Sequence, residues 1–281
     1  MQTPITHARS LLFVPASRLA RLGKAFDAGA DAVIVDLEDA IAPEAKANAR
    51  AALAAHLPYI EPERLRRLLV RINAVGTAWH MEDLSMVTAA GVGIMLPKAE
   101  DPNALRTVTE RQGPGGILVA LIESLLGLDH VDALAREAGV IRLAFGHLDF
   151  QLDMGMRSSP EEPELAFARN ALVAASRRAG LPAPIDGVTT ATDDNERLTK
   201  DAARARAFGF TGKLCIHPSQ VDSVHGAFSP SEKDLTWARQ VVEMAGRNGG
   251  QAFILDGRMV DLPVIRSAEI LLLRRSVDCI D

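Results

Sequence analysis

The sequence predicts an α/β fold, a (β/α)8 (TIM) barrel followed by a C-terminal helical extension, and three observations carry that prediction. Eight short runs along the chain are continuously apolar rather than alternating, as strands covered on both faces of a parallel sheet are. Ala-, Leu- and Arg-rich stretches with helical spacing separate most of these runs, which implies repeated βα units. The chain has 281 residues, a length that a single barrel domain fills undivided.

The elements follow in order. Ser10–Pro15 (SLLFVP) is the first expected strand, and RLARLGKAFDAGA then carries helical periodicity and stops at Gly29. The second strand is expected over Asp31–Asp39, the third over Arg67–Asn73 and the fourth over Val92–Lys98. The fifth spans Gly116–Ser124, the sixth Val140–Asp149, a weaker seventh Pro182–Val188 and the eighth Gly212–Pro218. The alternative, an open doubly wound sheet, wants a glycine-rich phosphate loop after its first strand. Here VPASRLAR follows, with no glycine before Gly23. Past the eighth strand, SPSEKDLTWARQVVEMAGRNGG opens on a capping serine and reads as a helix that ends at Gly249–Gly250. The tail QAFILDGRMVDLPVIRSAEILLLRRS reads as a short turn-bearing strand and a final helix, too apolar to hang free. The expected domains are a catalytic barrel over 1–228 and an extension over 229–281. The extension is expected to cover the barrel mouth or a neighbouring subunit.

Composition narrows the function. With 48% hydrophobic and 24% charged residues the chain suits a soluble protein with a large core. No apolar run is long enough to span a bilayer, and from the polar start MQTPITHARS no signal peptide is expected. A cytoplasmic protein without a membrane partner is expected. A net charge of −5 argues against a nucleic-acid binder. The first 26 residues nevertheless lack Asp and Glu and carry Arg9, Arg18, Arg21 and Lys24. They form either a basic helix face or a local site for a phosphate-bearing ligand. Cys215 and Cys279 cannot make a structural zinc site alone, and no CxxC exists. Cys215 is expected to be a buried thiol, without a disulfide.

In a barrel of this type chemistry sits at the C-terminal ends of the strands. Those ends carry Arg18 after Pro15, then Asp36, Glu38 and Asp39, then Arg71 and Asn73, then Lys98, Glu123, Asp149, Asp186 and His217. One strand-end acid is usually a helix cap, but polarity confined to one rim is not random. Glu123 and Asp149 end neighbouring strands, where two carboxylates would raise each other's pKa unless a cation lay between them. Oxygen ligands, with no Cys or His among them, point to Mg2+; salt-bridged structural acids, partnered by Arg71 or Lys98, are the alternative. Arg71 ends an apolar run, so an anion or a polarised oxygen must lie near it. It recognises a carboxylate or keto oxygen, pairs with Glu38 or Asp39, or does both. His147 would share a side with Asp149 if the sixth strand continued that far, and it is read as a neighbour of the site rather than a catalytic group.

Taken together the segments RSLLFVP, DAVIVDLEDA, VRINAVGTAWH, LPKAE, LIES, LAFGHLD, GKLCIHPSQ and DGRMVDLP cover nearly the whole chain in order. In them the chain resembles the citrate lyase β-subunit-like, CoA-thioester lyase branch of the HpcH/HpaI aldolase superfamily. The resemblance implies a TIM barrel assembled as trimers or hexamers, with Mg2+ held by Glu123 and Asp149 and Arg71 on the substrate's keto or carboxylate oxygens. It implies that Asp261 is a catalytic acid/base reaching into a neighbouring subunit's site. It also implies that PASR and IH, hence Ser17, Arg18, Ile216 and His217, contact coenzyme A. Two positions depart from the family pattern: Ala16 stands where glycine is frequent, and His147 where Ser or Thr is commoner. The superfamily's pyruvate-type aldolases carry D-x-E-H after the second strand. DLED stands here, with Asp39 in the histidine's place, which counts against simple pyruvate aldol chemistry.

The expected activity is Mg-dependent cleavage of a 3-hydroxyacyl-CoA thioester, of malyl-CoA or citramalyl-CoA type, into acetyl-CoA and a 2-keto acid. Catalysis falls to Asp261 and Arg71, and substrate binding to Arg71, Glu38 and Asp39; Glu38 and Asp39 are both candidates for the base on the substrate hydroxyl. The alternative is a citryl-thioester lyase β subunit working on an acyl-carrier protein within a citrate lyase.

Overall fold

The computed structural model describes residues 3–278; Cys279, and with it any disulfide, lies outside them. Eight parallel strands close a barrel in chain order. They are β1 (Ser10–Pro15), β2 (Ala32–Asp36), β3 (Leu68–Arg71), β4 (Gly93–Leu96), β5 (Leu118–Ile122), β6 (Val140–Phe145), β7 (Ile185–Asp186) and β8 (Gly212–Cys215). The ring closes where Leu11 and Leu12 of β1 pair with Leu214 and Cys215 of β8. Helices Leu22–Asp27, Lys46–His56, His80–Ala89, Pro102–Gln112, Val131–Arg136, Ala166–Arg178 and Asn195–Phe208 fill the successive connections. Their inward stripes follow helical spacing, as at Leu84 and Val87, Leu105 and Val108, or Leu172 and Ala175, all buried.

All strands but the first stop short of the apolar runs that predict them, because the chain turns out of the ladder at the mouth. At β2 the Asp36 carboxylate accepts the N–H groups of Glu38 (2.9 Å) and Ala40 (3.1 Å), bending the backbone away. After β4, Pro97 has no N–H to give. β6 ends at Phe145, and a helix begins at once at His147 and runs to Asp153.

The barrel interior is filled by Leu11, Ile34, Leu69, Met95, Val119, Leu121, Ala144 and Leu214. Burying each leucine-sized side chain contributes roughly 1.5–3 kcal/mol, enough together to tolerate one buried cation at the floor. Arg142 is 0% exposed there. It donates to the carbonyls of Ala183 (2.8 Å), Ala8 (2.6 Å) and Ile5 (3.3 Å) and to the Thr211 hydroxyl (2.9 Å). Burial pushes its pKa down to about 9, against the pull of Asp31. Cys215 is buried, and burial raises its thiol pKa to about 12.

The chain divides into two compact units, Met1–Val224 and His225–Asp281. In the second, Ser231 and Asp234 form a capping box that starts the helix Glu232–Arg247. Strands β9 (Phe253–Leu255) and β10 (Arg258–Val260) then form an antiparallel hairpin, where the sequence predicts one strand. Its turn is Asp256–Gly257, both at positive φ (50° and 73°). That is the two-residue turn Asp-Gly favours, because its twist matches the strands. The last helix is Leu262–Asp278. Ala238, Val241, Ala245, Val260, Ile265 and Ala268 make this unit's core. No helix among the described residues is long and apolar enough to cross a membrane.

Candidate active site

A cavity of about 400 Å³ opens at the C-terminal ends of the barrel strands. Phe13, Leu121, Phe145, Val188 and Leu214 give it apolar walls, and Asp36, Asp39, Arg71, Glu123, His147 and Asp149 line it with polar groups.

Arg71 is built in from β3. Its Nε and Nη2 donate to the two oxygens of Asp36 (2.8 and 2.7 Å), and its plane lies 4.9 Å from the Phe13 ring. The bidentate fork fixes the guanidinium as a rigid unit. Nη1 is 3.0 Å from Glu38 and 3.8 Å from Asp39. The principal partner is thus Asp36 rather than the expected Glu38 or Asp39, because strand register sets Asp36 beside Arg71. Burial works to lower the arginine's pKa; the hydrogen bonds and charge of Asp36, then Glu38 and Glu123, raise it above its ordinary value. Burial likewise raises Glu38 against the pull of Arg71 and Lys98. Asp39 is exposed.

Glu123 follows β5 and is 3% exposed. Its Oε1 accepts the Lys98 N–H at 2.9 Å. Asp149 lies in the first turn of the helix His147–Asp153, half-buried and on the same cavity. Both local cations are engaged elsewhere: Arg71 with Asp36 and Glu38, and the Lys98 ammonium with Glu38 at 3.2 Å. Glu123 and Asp149 make no ion pair among the described residues, which disfavours the salt-bridged alternative. Burial, then the charges of Glu38 and Asp149, push the Glu123 carboxyl up to about 8. Excess negative charge around a buried carboxylate is the chemistry that a divalent cation relieves.

No group of three or more His, Cys, Asp or Glu side chains arranged for a metal is found among the described residues. A pair of carboxylates fits a small hard cation that keeps water or substrate oxygens in its remaining positions.

His147 does not share a strand face with Asp149, because the strand has become a helix and residues two apart on a helix point to different sides. The imidazole is buried against β7; a Cβ on Gly187 would come within 2.1 Å of its Nδ1. Burial lowers its pKa to about 4, against Glu162 and Asp186. Beneath it lies an ionic layer that sequence reasoning missed. Arg169 donates to Glu162 (2.6 Å) and Asp186 (3.0 Å), Arg204 donates to Glu162 (2.8 Å), and Lys213 stands 3.7 Å from Asp186. The only signal in the sequence was Asp186 at a strand end.

Ser17 and Arg18 follow β1, Ile216 and His217 follow β8, and all four are exposed. Those strands are neighbours, so the four residues share one sector of the rim. Asp261 belongs to the second unit, where it caps the final helix, its Oδ1 accepting the Val264 N–H at 3.4 Å. The cavity lining contains barrel residues alone.

Comparison with known proteins adds to this geometry. The profile of the family described as HpcH/HpaI aldolase/citrate lyase matches residues 9–218. The citrate lyase subunit beta-like protein of Deinococcus radiodurans is 35% identical over 97% of this chain and 99% of its own. The (3S)-malyl-CoA thioesterase of Cereibacter sphaeroides is 32% identical over 90% of this chain and 89% of its own. Among solved structures, protein CitE from Mycobacterium tuberculosis in complex with magnesium, acetoacetate and coenzyme A superposes with a TM-score of 0.84. It is 34% identical and covers 96% of this chain and 98% of its own.

Proposed function

The chain belongs to the HpcH/HpaI aldolase/citrate lyase family and is a lyase, and from that premise we propose that it cleaves a 3-hydroxyacyl-CoA thioester of malyl or citramalyl type. The products are acetyl-CoA and a 2-keto acid. One observation carries the reading: Glu123 and Asp149, without ion pairs of their own among the described residues, share a cavity with an arginine locked in place by Asp36. The magnesium, acetoacetate and coenzyme A held by the similar CitE support the choice of metal and ligand class.

Glu123 and Asp149 are the proposed metal ligands. Held by them, Mg2+ would supply Lewis acidity toward the oxygens of the substrate. Arg71 carries five N–H donors; Asp36 takes two, and Nη1 lies beside Glu38. A donor left facing the cavity is preorganised for the oxygen that gains charge as the bond breaks. In the cleavage direction a carboxylate of the β2 loop, Glu38 or Asp39, takes the substrate hydroxyl proton. The hydroxyl carbon becomes the keto carbon, and the electrons of the broken carbon–carbon bond pass to the thioester enolate. Asp261, supplied by a neighbouring subunit of a trimer or hexamer, returns a proton to the enolate carbon. Ser17, Arg18, Ile216 and His217 hold the coenzyme at the rim.

The test offers malyl-CoA, citramalyl-CoA and citryl-CoA with Mg2+ and identifies glyoxylate, pyruvate or oxaloacetate. Release of one keto acid with acetyl-CoA names the acyl group. With the citryl thioester of an acyl-carrier protein offered alongside these CoA thioesters, turnover of that thioester alone would replace the reading by that of a citrate lyase β subunit. Free CoA with the intact hydroxy acid, and no keto acid, would replace it by thioester hydrolysis, the activity in the name of the Cereibacter relative.

A further inference from the structure

We propose that Lys98 positions Glu123 through its backbone, acting as the residue that sets the orientation of the carboxylate. This rests on the reading of Glu123 as a metal ligand. β4 pairs regularly with β5 as far as Leu96 opposite Ala120. Pro97 then has no N–H to donate, and Lys98 adopts φ 46°, in the left-handed region that side-chain-bearing residues avoid. The Lys98 N–H leaves the ladder and reaches Glu123 Oε1 at 2.9 Å. One residue later the Ala99 N–H again meets the backbone of β5, on the Leu121 carbonyl at 3.1 Å. Between Leu96 and Ala99, then, Lys98 has the one available amide, and it is turned from a backbone acceptor to a side chain.

The other edge of the carboxylate is walled. A Cβ on Gly146 would stand 2.4 Å from Glu123 Oε2 and 2.5 Å from its Cβ. A donor on one oxygen and a bare glycine against the other select one orientation for a carboxylate that is 3% exposed. The Lys98 ammonium makes a separate contact, to Glu38 Oε1 at 3.2 Å. Backbone and side-chain contributions can thus be separated by substitution. Asparagine tolerates the left-handed region, whereas a β-branched residue resists it.

Mg2+ is titrated calorimetrically into the metal-free full-length protein and into Lys98→Asn, Lys98→Val and Glu123→Gln, with folding followed by circular dichroism. Lys98→Asn is expected to bind at least as tightly as the wild type, since it keeps the backbone donor and loses only a competing ammonium. Lys98→Val should bind roughly 10- to 100-fold more weakly, the loss typical when a partner that orients a ligand is removed. Lys98→Val binding as tightly as wild type, while Glu123→Gln does not bind, would overturn the inference. A wild type that binds no Mg2+ would overturn the functional reading and this inference with it. Should Lys98→Val not fold, amide hydrogen exchange decides: the Lys98 N–H should exchange much faster in Glu123→Ala than in wild type, and unchanged protection would sink the proposal.

Discussion

Glu123 and His147 pull stability in opposite directions with pH, and their windows differ. Glu123 titrates at about 8 in the fold and near 4.5 ordinarily, so between those values the metal-free folded chain holds a proton that the unfolded chain has released. Stability therefore falls as pH rises through that interval. His147 titrates at about 4 against an ordinary 6.5, so its buried neutral ring loses stability as pH falls through that range. Above 6.5 Glu123 acts without this opposition. In EDTA stability should fall by at most about 2 kcal/mol between pH 6.5 and 8, read as a lower melting temperature. Mg2+ should reverse the drop and Glu123→Gln should flatten it; a rise over the same interval in calorimetry would contradict the assignment. Arg71 gives a second prediction at this scale. Lysine cannot reproduce the planar fork on Asp36, so Arg71→Lys should lower kcat by about 10²- to 10³-fold. KM should change less, and steady-state kinetics on the cleaved thioester checks the split.

At the scale of elements, Asp149 depends on where one helix starts. His147 opens that helix and lies so close to Gly187 that a Cβ there would fall 2.1 Å from its ring. Gly187→Ala must displace the imidazole, and the helix that carries Asp149 is expected to move with it. It should cost about 1–3 kcal/mol in a thermal melt, the usual range for overpacking, and weaken Mg2+ binding in the same protein. Wild-type affinity in that variant would show that the helix does not set Asp149. The strands themselves were legible because continuous apolar runs mark a sheet covered on both faces. Their C-terminal limits were not, because those depend on side chains turned back onto the backbone, such as Asp36 onto Glu38 and Ala40, and on the switch from strand to helix after Phe145. The strand-end acids and Arg71 could be picked out singly. The pairing of Arg71 with Asp36 and the layer joining Glu162, Arg169, Asp186 and Lys213 could not, since they join segments that periodicity treats separately. The Asp256–Gly257 hairpin carried a readable turn signal, and the short strands flanking it were too brief to split by apolar pattern.

At the scale of the whole molecule the proposed chemistry is divided between two compact units. Glu123, Asp149 and Arg71 belong to the first and Asp261 to the second. If Asp261 serves a neighbouring subunit's cavity, neither Asp261→Ala nor Arg71→Ala should support cleavage alone, yet they fail for different reasons. Asp261→Ala keeps the metal ligands and should bind Mg2+ normally, while losing solvent-proton exchange at the acetyl-CoA methyl group. Arg71→Ala keeps the acid. Co-expressed and assembled together, the two chains create some cavities with an intact Arg71 from one chain and an intact Asp261 from another. Activity should then recover to a measurable fraction of wild type, a result that neither variant nor a simple mixture of unexchanged oligomers can give. Recovery requires only that both units fold in each variant, which the separate cores of the barrel and of the extension favour. No recovery from mixed assemblies, with each variant folded and oligomeric by light scattering, would confine Asp261 to its own chain or remove it from the reaction.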